Sequence, residues 1–289
     1  MRDAALLAFL PDGRRLHLRE GPIDLVVGAW GERDAVELAY AAAARRFSGL
    51  LTELCGELPL LRSQAVPGGT EAQGVVARRM QAAVMPFAAE TFITPMAAVA
   101  GAVAEEILLA MVQAAPLARA FVNNGGDIAL HCAPGERFRV GLVDRPDRPG
   151  LFGTVEITGD SPVRGLATSG WRGRSFSLGI ADAVSVLAPS AAMADAAATV
   201  IANAVDLPGH PAVERIAANR LQPDSDLGVR LVTRGVGVLS AAEKARALDS
   251  GWRLAQVLGA RGLILAAALH CAGETRVWGA MPSIRGEAA

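Results

Sequence analysis

The sequence is poor in aromatic residues, which limits the kind of core it can build. Aromatic residues make up 4% of the 289 positions, whereas hydrophobic residues of all kinds make up 52%. Small side chains pack closely but gain little free energy each, because each buries a modest apolar area. The length is still sufficient for a large buried core, arranged as one domain or as two interlocked lobes.

Lysine is almost absent, since Lys244 is the single lysine and arginine carries the remaining positive charge. The formal net charge is −1, and no long basic run is present. Proteins that bind nucleic acid without sequence preference need a basic surface that neutralises phosphates. The sequence therefore predicts no nucleic-acid partner.

Cysteine is scarce too, with Cys55, Cys132 and Cys271 far apart in the chain. Their odd number and spacing fit neither a zinc site nor a disulfide framework. We expect free, buried thiols in a reducing cytoplasm. The N-terminal apolar run is short and lacks a cleavage site of small residues, so no signal peptide is predicted.

One apolar run, residues 96–115, raises the question of a membrane span. Glu105 and Glu106 lie in the middle of this run, where charged side chains would be costly in lipid. We therefore expect a buried helix and no membrane partner.

Hydrophobic periodicity and turn residues predict helices interleaved with mostly hairpin-connected strands. The predicted helices cover 32–58, 94–115, 190–205, 211–220 and 240–258, the last with a Ser240–Glu243 capping box. The predicted strands cover 16–20, 23–30, 120–130 with an internal turn, 138–144, 153–158, 163–169, 183–188, 227–233, 262–269 and 274–279. Residues 59–90 read mainly as a poorly defined connection, and the tail 284–289 as disordered. This order predicts a layered α/β (α+β) fold with mixed sheets and packed helices.

The string NNGGDI is the most informative local motif, with Asn123, Asn124, Gly125, Gly126 and Asp127 at one bend. Adjacent glycines allow positive φ angles and let the backbone approach a ligand. The amides and the carboxylate around them favour a cradle for a phosphate or a nucleotide. The alternative is an ordinary Asn-Gly type of turn between two strands.

A second motif lies on the predicted helix 190–205, where Asp195 and Thr199 are four positions apart and share one face. Asn203 extends this polar stripe on an otherwise alanine-rich helix. A carboxylate and a hydroxyl at this spacing suit Mg²⁺, which prefers oxygen ligands. The alternative is a solvated helix face.

A third motif, residues 168–182, is rich in glycine and serine and begins with Thr168, Ser169 and Gly170. Arg172 and Arg174 in the same segment can pair with phosphate, as can backbone N–H groups of a glycine-rich loop. The alternative is a mobile surface loop.

Together these motifs resemble the ApbE-like superfamily, whose best-known members are FAD:protein FMN transferases. NNGGDI at 123–128 is similar to the Asn-x-Gly-Gly-Asp turn of that superfamily. Residues 167–170 resemble its Ser-Gly loop, and residues 184–199 resemble its strand followed by an Ala-Asp-x-x-x-Thr helix.

The resemblance is closer to an uncharacterised branch of the superfamily. Pro-Met-Ala-Ala-Val-Ala-Gly at 95–101 and Ser-x-Gly-x-Ala-Asp-Ala-Val at 177–184 match strings of that branch, as does Ala202-Asn203. The resemblance extends over roughly residues 10–270, with several independent strings in the same order.

The resemblance implies a single ApbE-like domain, residues 1–289, made of two interlocked lobes with a ligand cleft between them. It implies that FAD or FMN, or a similar nucleotide-like phosphorylated ligand, binds there with Mg²⁺. The implied reaction is Mg²⁺-dependent transfer of FMN from FAD to a hydroxyl of a flavoprotein acceptor. The implied site residues are Asp195 and Thr199 for the metal, Asp182 and Asp195 for catalysis, and Asn123, Asn124, Gly125, Gly126, Asp127, Thr168, Ser169, Gly170, Ser177 and Gly179 for the cofactor.

One string departs from the transferase pattern, which carries His-x-x-Asp-Pro. The corresponding residues here are Gly179-Ile180-Ala181-Asp182, so the carboxylate is present and the imidazole and the proline are not. Two alternatives therefore stay open: a ligand-binding protein without transferase activity, or an enzyme that acts on a different small molecule in the same cleft. A homodimer is the assembly we expect.

Overall fold

The protein is described by a computed structural model over residues 6–143 and 150–281. The predicted tail 284–289 and the end of the predicted strand 138–144 lie outside these residues. The helices are α1 Arg33–Phe47, α2 Leu50–Gly56, α3 Leu58–Leu61, α4 Val75–Val84, α5 Val99–Ala114, α6 Ala191–Ala204, α7 Ala218–Leu221 and α8 Ala241–Ala260. The strands are β1 Leu6–Phe9, β2 Leu16–Glu20, β3 Ile23–Trp30, β4 Arg119–Asn124, β5 Asp127–Cys132, β6 Arg137–Val143, β7 Leu151–Thr158, β8 Gly165–Ser169, β9 Ala183–Ala188, β10 Val213–Ala217, β11 Leu231–Val236, β12 Ala266–Cys271 and β13 Glu274–Gly279.

The chain divides into two compact units, each assembled from separated segments. Unit 1 comprises Met1–Phe138, Ile157–Ala167 and Pro189–Asp195, and unit 2 comprises Arg139–Glu156, Thr168–Ala188 and Ala196–Ala289. Both units combine strands with helices, so the α/β class predicted from the sequence is confirmed.

Unit 1 is built on antiparallel strands in the order β1-β2-β3-β4-β5, with the start of β8 paired to β5. Alternate side chains of these strands, such as Leu18, Leu25 and Val122, are fully buried. This alternation is expected for a sheet with one face toward a core. Helix α5 contacts β4 and β5 and also packs against α1 and α4.

Helix α5 is the apolar run that the sequence predicts as a buried helix and not as a membrane span. With the short 3₁₀ turn before it, the run is long and apolar enough to cross a membrane by composition. Seven residues of α5 are buried within the protein, including Ile107 and Met111. Glu105 and Glu106 form ion pairs with arginines of neighbouring helices. The prediction of a buried helix is therefore confirmed.

Unit 2 contains the antiparallel strands β9-β12-β13, the two-stranded sheet β10-β11 and most of the two-stranded sheet β6-β7. All six residues of β9 and all six of β12 are buried. Helix α8 packs on β12 and β13. Its predicted capping box is confirmed, because the Ser240 side chain accepts from the Glu243 N–H and the Glu243 side chain accepts from the Ser240 N–H.

The single long helix predicted over 32–58 is wrong. The first break falls at Gly49, whose φ of 83° is left-handed and ends the regular helix. A second break falls at Glu57, just before Leu58 and Pro59, so that α1, α2 and α3 replace one helix. In addition, α4 lies inside the segment predicted as a poorly defined connection.

The helix predicted over 211–220 is also wrong. Residues Val213–Ala217 form β10, which pairs antiparallel with β11, and only the four residues of α7 follow as helix. The partner strand lies far along the chain, so a local pattern cannot reveal this pairing. Tertiary context overrides local helix propensity here.

The cysteines allow a direct test of the packing. Cys132 and Cys271 are buried, but Cys55 is exposed on α2, so the expectation of three buried thiols is wrong for Cys55. Burial raises the pKa of the Cys271 thiol to about 12.

We expect iodoacetamide at pH 8 to alkylate Cys55 in the native protein and to reach Cys132 and Cys271 only in denaturant, because the thiolate is the nucleophile. Mass spectrometry of peptides measures this, and equal native labelling of Cys55 and Cys271 would contradict the packing.

Candidate functional site

The predicted Gly-Gly turn joins β4 to β5 in unit 1. The register closes on the pair Asn124 and Asp127, which leaves Gly125 and Gly126 as the two turn residues. Their φ angles, 67° and 117°, are both positive, which explains the need for glycine. The Gly126 N–H donates to Asn123 Oδ1 over 2.8 Å. The geometry is that of a tight hairpin turn, so a ligand role for it must come from its surroundings.

Those surroundings include the first turn of α5. Asn124 is 8% exposed, and its Nδ2 donates to the Ala100 carbonyl oxygen over 3.2 Å. The helix start predicted at Thr94-Pro95 is a 3₁₀ turn, Pro95–Ala98, which leads directly into the first turn of α5. The hairpin is therefore fastened to the N-terminal end of α5.

Asp195 reaches the same end of α5 from α6. Its Oδ2 accepts from the Gly101 N–H over 3.0 Å, across 94 positions of sequence. The residue at the N-cap position of α5, Ala98, provides no side-chain cap of its own. Asp195 thus performs the capping task for α5, where a negative charge is favoured by the unpaired N–H groups and the helix dipole.

Asp127 and Asp195 place two carboxyl groups in one region. Burial raises the pKa of Asp195 well above its ordinary value, and the charge of Asp127 raises it further, while backbone N–H groups of Gly101 and Ala100 act in the opposite direction. Two carboxylates that resist joint ionisation are stabilised by a cation placed near both. Ionisation of both groups is therefore disfavoured, and a cation placed beside them would favour it.

The donor set of this pair fits Mg²⁺, the metal that the resemblance implies. Mg²⁺ is commonly held by one or two carboxylates together with waters and ligand phosphates. Within the described residues, no group of three His, Cys, Asp or Glu side chains converges on one point. Further ligands would have to be hydroxyl, carbonyl, water or phosphate oxygens.

The close approach of α5 and α6 depends on Gly101. A Cβ atom added at Gly101 would lie 2.2 Å from the Ala191 carbonyl oxygen and 2.6 Å from its carbon. No side chain fits at this separation, so the two helices touch backbone to backbone. This contact places Asp195 one turn further along α6, opposite the amide that it accepts from.

Thr199 lies in α6 one turn after Asp195 and is partly exposed. The shared helix puts the two side chains on one face, as the sequence predicts. Thr199 belongs to the part of α6 that lies in unit 2. Its role as a metal ligand stays a prediction.

The other predicted site residues lie in unit 2. The Thr168 and Ser185 hydroxyls are 2.8 Å apart. A Cβ atom at Gly170, next to Ser169, would lie 2.3 Å from the Asp182 carbonyl oxygen. The structure therefore brings Thr168–Gly170 beside β9 and the residue that precedes it.

Ser177 and Gly179 have clear packing roles. Ser177 is 3% exposed, donates from Oγ to Asn203 Oδ1 and accepts from the Gly179 N–H, both over 3.2 Å. A Cβ atom at Gly179 would lie 2.1 Å from the Ala202 carbonyl oxygen. Both residues let the loop 170–182 lie against the C-terminal end of α6.

Asp182, predicted as catalytic, uses both carboxylate oxygens within unit 2. Oδ1 accepts from Arg172 Nε and Oδ2 accepts from the Ala272 N–H, each over 2.6 Å. Arg172 also stacks on Trp171, with 4.2 Å from Cζ to the ring centroid. Asp182 therefore ties the glycine-rich loop to the β12–β13 turn, and a catalytic role for it stays a prediction.

The turn held by Asp182 carries a strained residue. Ala272 has φ 48° and forms the two-residue β12–β13 turn with Gly273, a conformation that disfavours any Cβ. We expect Ala272→Gly to stabilise the protein by about 0.5–1 kcal/mol, because relief of the left-handed strain exceeds the extra unfolded-state entropy of glycine. Urea unfolding measures this change, and an unchanged or lower midpoint would contradict it.

Sequence reasoning missed the backbone of Ala100 and Gly101 as part of the site. The string 95–101 is one of the segments that carry the family resemblance, and this was the available signal. A helix start without a capping side chain gave no local sign that a distant carboxylate would supply the cap.

A family model described as "AbpE bacteria" matches residues 7–277. The chain belongs to this AbpE family. The predicted ApbE-like membership is therefore confirmed.

Relatives of this AbpE chain include UPF0280 proteins of methanogenic archaea. The protein of Methanopyrus kandleri is 44% identical over 131 residues, which cover 44% of this chain and 48% of the relative. That of Methanosphaerula palustris is 40% identical over 123 residues, covering 39% and 47%. In each case the match spans about half of the relative.

Two solved structures are similar at low identity. The flavin transferase ApbE from Vibrio cholerae gives a TM-score of 0.35 at 14% identity, with 68% of this chain and 86% of that chain covered. The apo flavinyl transferase ApbE of Pseudomonas stutzeri gives a TM-score of 0.31 at 13% identity, with 72% and 86% covered.

Proposed function

We propose that this AbpE protein binds a flavin nucleotide, or a similar phosphorylated ligand, together with Mg²⁺ at the Asp127–Asp195 pair. The observation that carries the proposal is the Asp195 carboxyl group at the N-terminal end of α5, with Asp127 close enough for its charge to raise the pKa of Asp195. A like-charge pair in which one carboxyl group is desolvated resists full ionisation, and a cation beside it favours the ionised form. Asp195, and Thr199 on the next turn, are the proposed metal ligands.

The Gly125-Gly126 turn is the backbone segment that we propose to face the phosphate of the ligand. Gly126 has no heavy atom within 4 Å of an added Cβ position, so its surface is open. Open glycine backbone beside a cation suits a phosphate group, which accepts hydrogen bonds and carries negative charge. Asn123 and Asn124 hold this turn in place through their side-chain hydrogen bonds.

The most specific form of the proposal is transfer of FMN from FAD to a hydroxyl of a protein acceptor. The hydroxyl oxygen would bond to the FMN phosphorus and release its proton to solvent, the pyrophosphate bond would break, and AMP would leave. Mg²⁺, when bound, supplies Lewis-acid polarisation of phosphoryl oxygens. Asp195 would hold it beside Asp127, and the Gly101 N–H keeps the Asp195 carboxylate oriented.

Isothermal titration of the purified protein tests the binding proposal. We expect FAD to bind more tightly with Mg²⁺ than in excess EDTA, because ligand phosphates complete the coordination. Titrations with FMN, AMP and inorganic phosphate separate recognition of the flavin from recognition of the phosphate. Absence of FAD binding in both conditions would contradict the flavin version.

The second candidate is a protein that binds the ligand without transferring it. The observation in its favour is Gly179, which stands where the transferase pattern has histidine. An added Cβ atom there would lie 2.1 Å from the backbone of α6, so an imidazole does not fit in this arrangement. Loss of a group that assists proton transfer typically costs 10²–10⁴-fold in rate.

Incubation with FAD, Mg²⁺ and a panel of flavoprotein acceptors separates the two candidates. Covalent flavin on an acceptor, detected by in-gel fluorescence and mass spectrometry, supports transfer. Tight FAD binding without labelled acceptor or released AMP supports binding alone. Mass spectrometry of a small molecule that co-purifies with the protein tests whether a different ligand occupies the site.

A further inference from the structure

Helix α5 and the first turn of α6, both in unit 1, cap each other's N-terminal ends with carboxylates. Asp195 of α6 accepts from the Gly101 N–H of α5, and Glu105 of α5 accepts in return from the Ala192 N–H of α6 over 3.3 Å. Gly101 and Glu105 are four residues apart and share one face of α5. Two hydrogen bonds in opposite directions, on either side of the Gly101–Ala191 contact, fix the position of α6 along α5.

The α6 N-terminus does not depend on Glu105 for a cap. Ser190 already accepts from the Met193 N–H over 3.2 Å, which is the ordinary capping bond of this helix. The bond from Glu105 is therefore additional, and it joins two helices instead of closing one. Its main effect is on the relative position of α5 and α6.

Glu105 is itself held in place by a network of ion pairs. Its Oε1 lies 3.2 Å from Arg79 Nε, which leaves Oε2 for Ala192. Arg79 also pairs with Glu106 over 2.9 Å, and Arg46 pairs with Glu106 over 2.6 Å. The two glutamates in the middle of an apolar helix thus connect α6 to α1 and α4.

We propose that Glu105 is a positioning residue for the Asp127–Asp195 site. By holding the first turn of α6, it keeps the Asp195 carboxylate, one turn further on, beside Gly101 and Asp127. The ligand-binding consequence of this proposal rests on the proposed function. The geometric consequence, a fixed first turn of α6, does not.

Three variants test the proposal by FAD titration in saturating Mg²⁺. Glu105→Ala removes the acceptor for Ala192, and Glu105→Gln keeps an acceptor oxygen but loses the charge opposite Arg79. Glu53→Gln is the control, because Glu53 pairs with Arg46 on another side of the same network. Circular dichroism and a urea midpoint establish that each variant is folded.

We expect Glu105→Ala to weaken FAD binding about 10- to 100-fold, the usual effect of losing a group that orients a metal ligand. Glu105→Gln should recover most of this loss, and Glu53→Gln should bind like the wild-type protein even if its unfolding midpoint falls. Equal losses in Glu105→Ala and Glu53→Gln would overturn the proposal, since they would show a general loss of stability.

Amide hydrogen exchange gives a second readout that needs no ligand. In Glu105→Ala we expect faster exchange of the Ala192 and Gly101 amides than in Glu53→Gln, because both report the α5–α6 contact. If wild-type protein binds no FAD with or without Mg²⁺, the proposed function fails and the exchange data alone decide the inference. Unchanged exchange at Gly101 would then overturn it.

Discussion

Asp195→Asn is expected to stabilise the protein in the absence of metal and to abolish the effect of Mg²⁺ on FAD binding. The amide oxygen of asparagine can still accept from the Gly101 N–H, so the cap of α5 is kept. The substitution removes an ionisable group whose charged form is disfavoured by burial and by the charge of Asp127, as the raised pKa of Asp195 indicates. Replacing a residue that function keeps in an unfavourable environment commonly stabilises a protein by about 0.5–2 kcal/mol.

The same change should weaken Mg²⁺-dependent FAD binding by about 100-fold or more. Loss of groups that only orient a metal ligand already costs about 10–100-fold, and a direct ligand should cost no less. Urea unfolding in EDTA measures the stability change, and titration with and without Mg²⁺ measures the binding change. Asp34→Asn is the control, because Asp34 is exposed in the first turn of α1 and the change of side chain is the same.

The two effects of Asp195→Asn have opposite signs, and this separates two roles of Asp195. A residue that serves only as a helix cap would lower stability when replaced and leave ligand binding alone. Replacing a binding residue that is held in an unfavourable environment would instead raise stability and weaken ligand binding. If Asp195→Asn lowers stability and leaves the Mg²⁺ dependence of FAD binding unchanged, Asp195 is only a helix cap and not a binding residue.

Gly101→Ala is expected to destabilise the protein by about 1–3 kcal/mol, although alanine is normally the better helix former. Replacing an exposed helical glycine with alanine usually gains about 1 kcal/mol. At Gly101 the added Cβ would lie 2.2 Å from the Ala191 carbonyl oxygen, so α5 and α6 must move apart. Forced overpacking of this kind costs about 1–3 kcal/mol and exceeds the gain in propensity.

Separation of the helices should also weaken FAD binding, because Asp195 would withdraw from Gly101 and Asp127. Gly56→Ala is the matched control: Gly56 ends α2, and no heavy atom lies within 4 Å of an added Cβ. We expect Gly56→Ala to keep or raise the urea midpoint. Equal behaviour of the two alanine variants would refute the close contact of α5 with α6.

The local parts of the site were predictable because neighbouring residues encode them. Gly125 and Gly126 form the tight turn that their lack of Cβ permits, and Ser240 with Glu243 forms the capping box that its spacing indicates. The buried nature of α5 followed from Glu105 and Glu106, which lipid would not tolerate. Each of these features depends on a few consecutive residues.

Other features depend on contacts with residues far along the chain, which a local sequence pattern cannot predict. Val213–Ala217 is a strand because β11 pairs with it, and the helix predicted over 32–58 breaks where Gly49 adopts a left-handed angle. Ser177 and Gly179 lie where packing against α6 requires them, whatever contact they make with a ligand.

The amino-acid sequence by itself determined the α/β class, the Gly-Gly turn and the family, because hydrophobic period, turn chemistry and ordered motifs are written in consecutive residues. Only the tertiary structure decided that Asp195 caps α5, that Asp127 lies near Asp195 and that Glu105 of α5 accepts from the Ala192 N–H of α6. These contacts join residues up to 94 positions apart, and they exist because Gly101 lets two helix backbones touch.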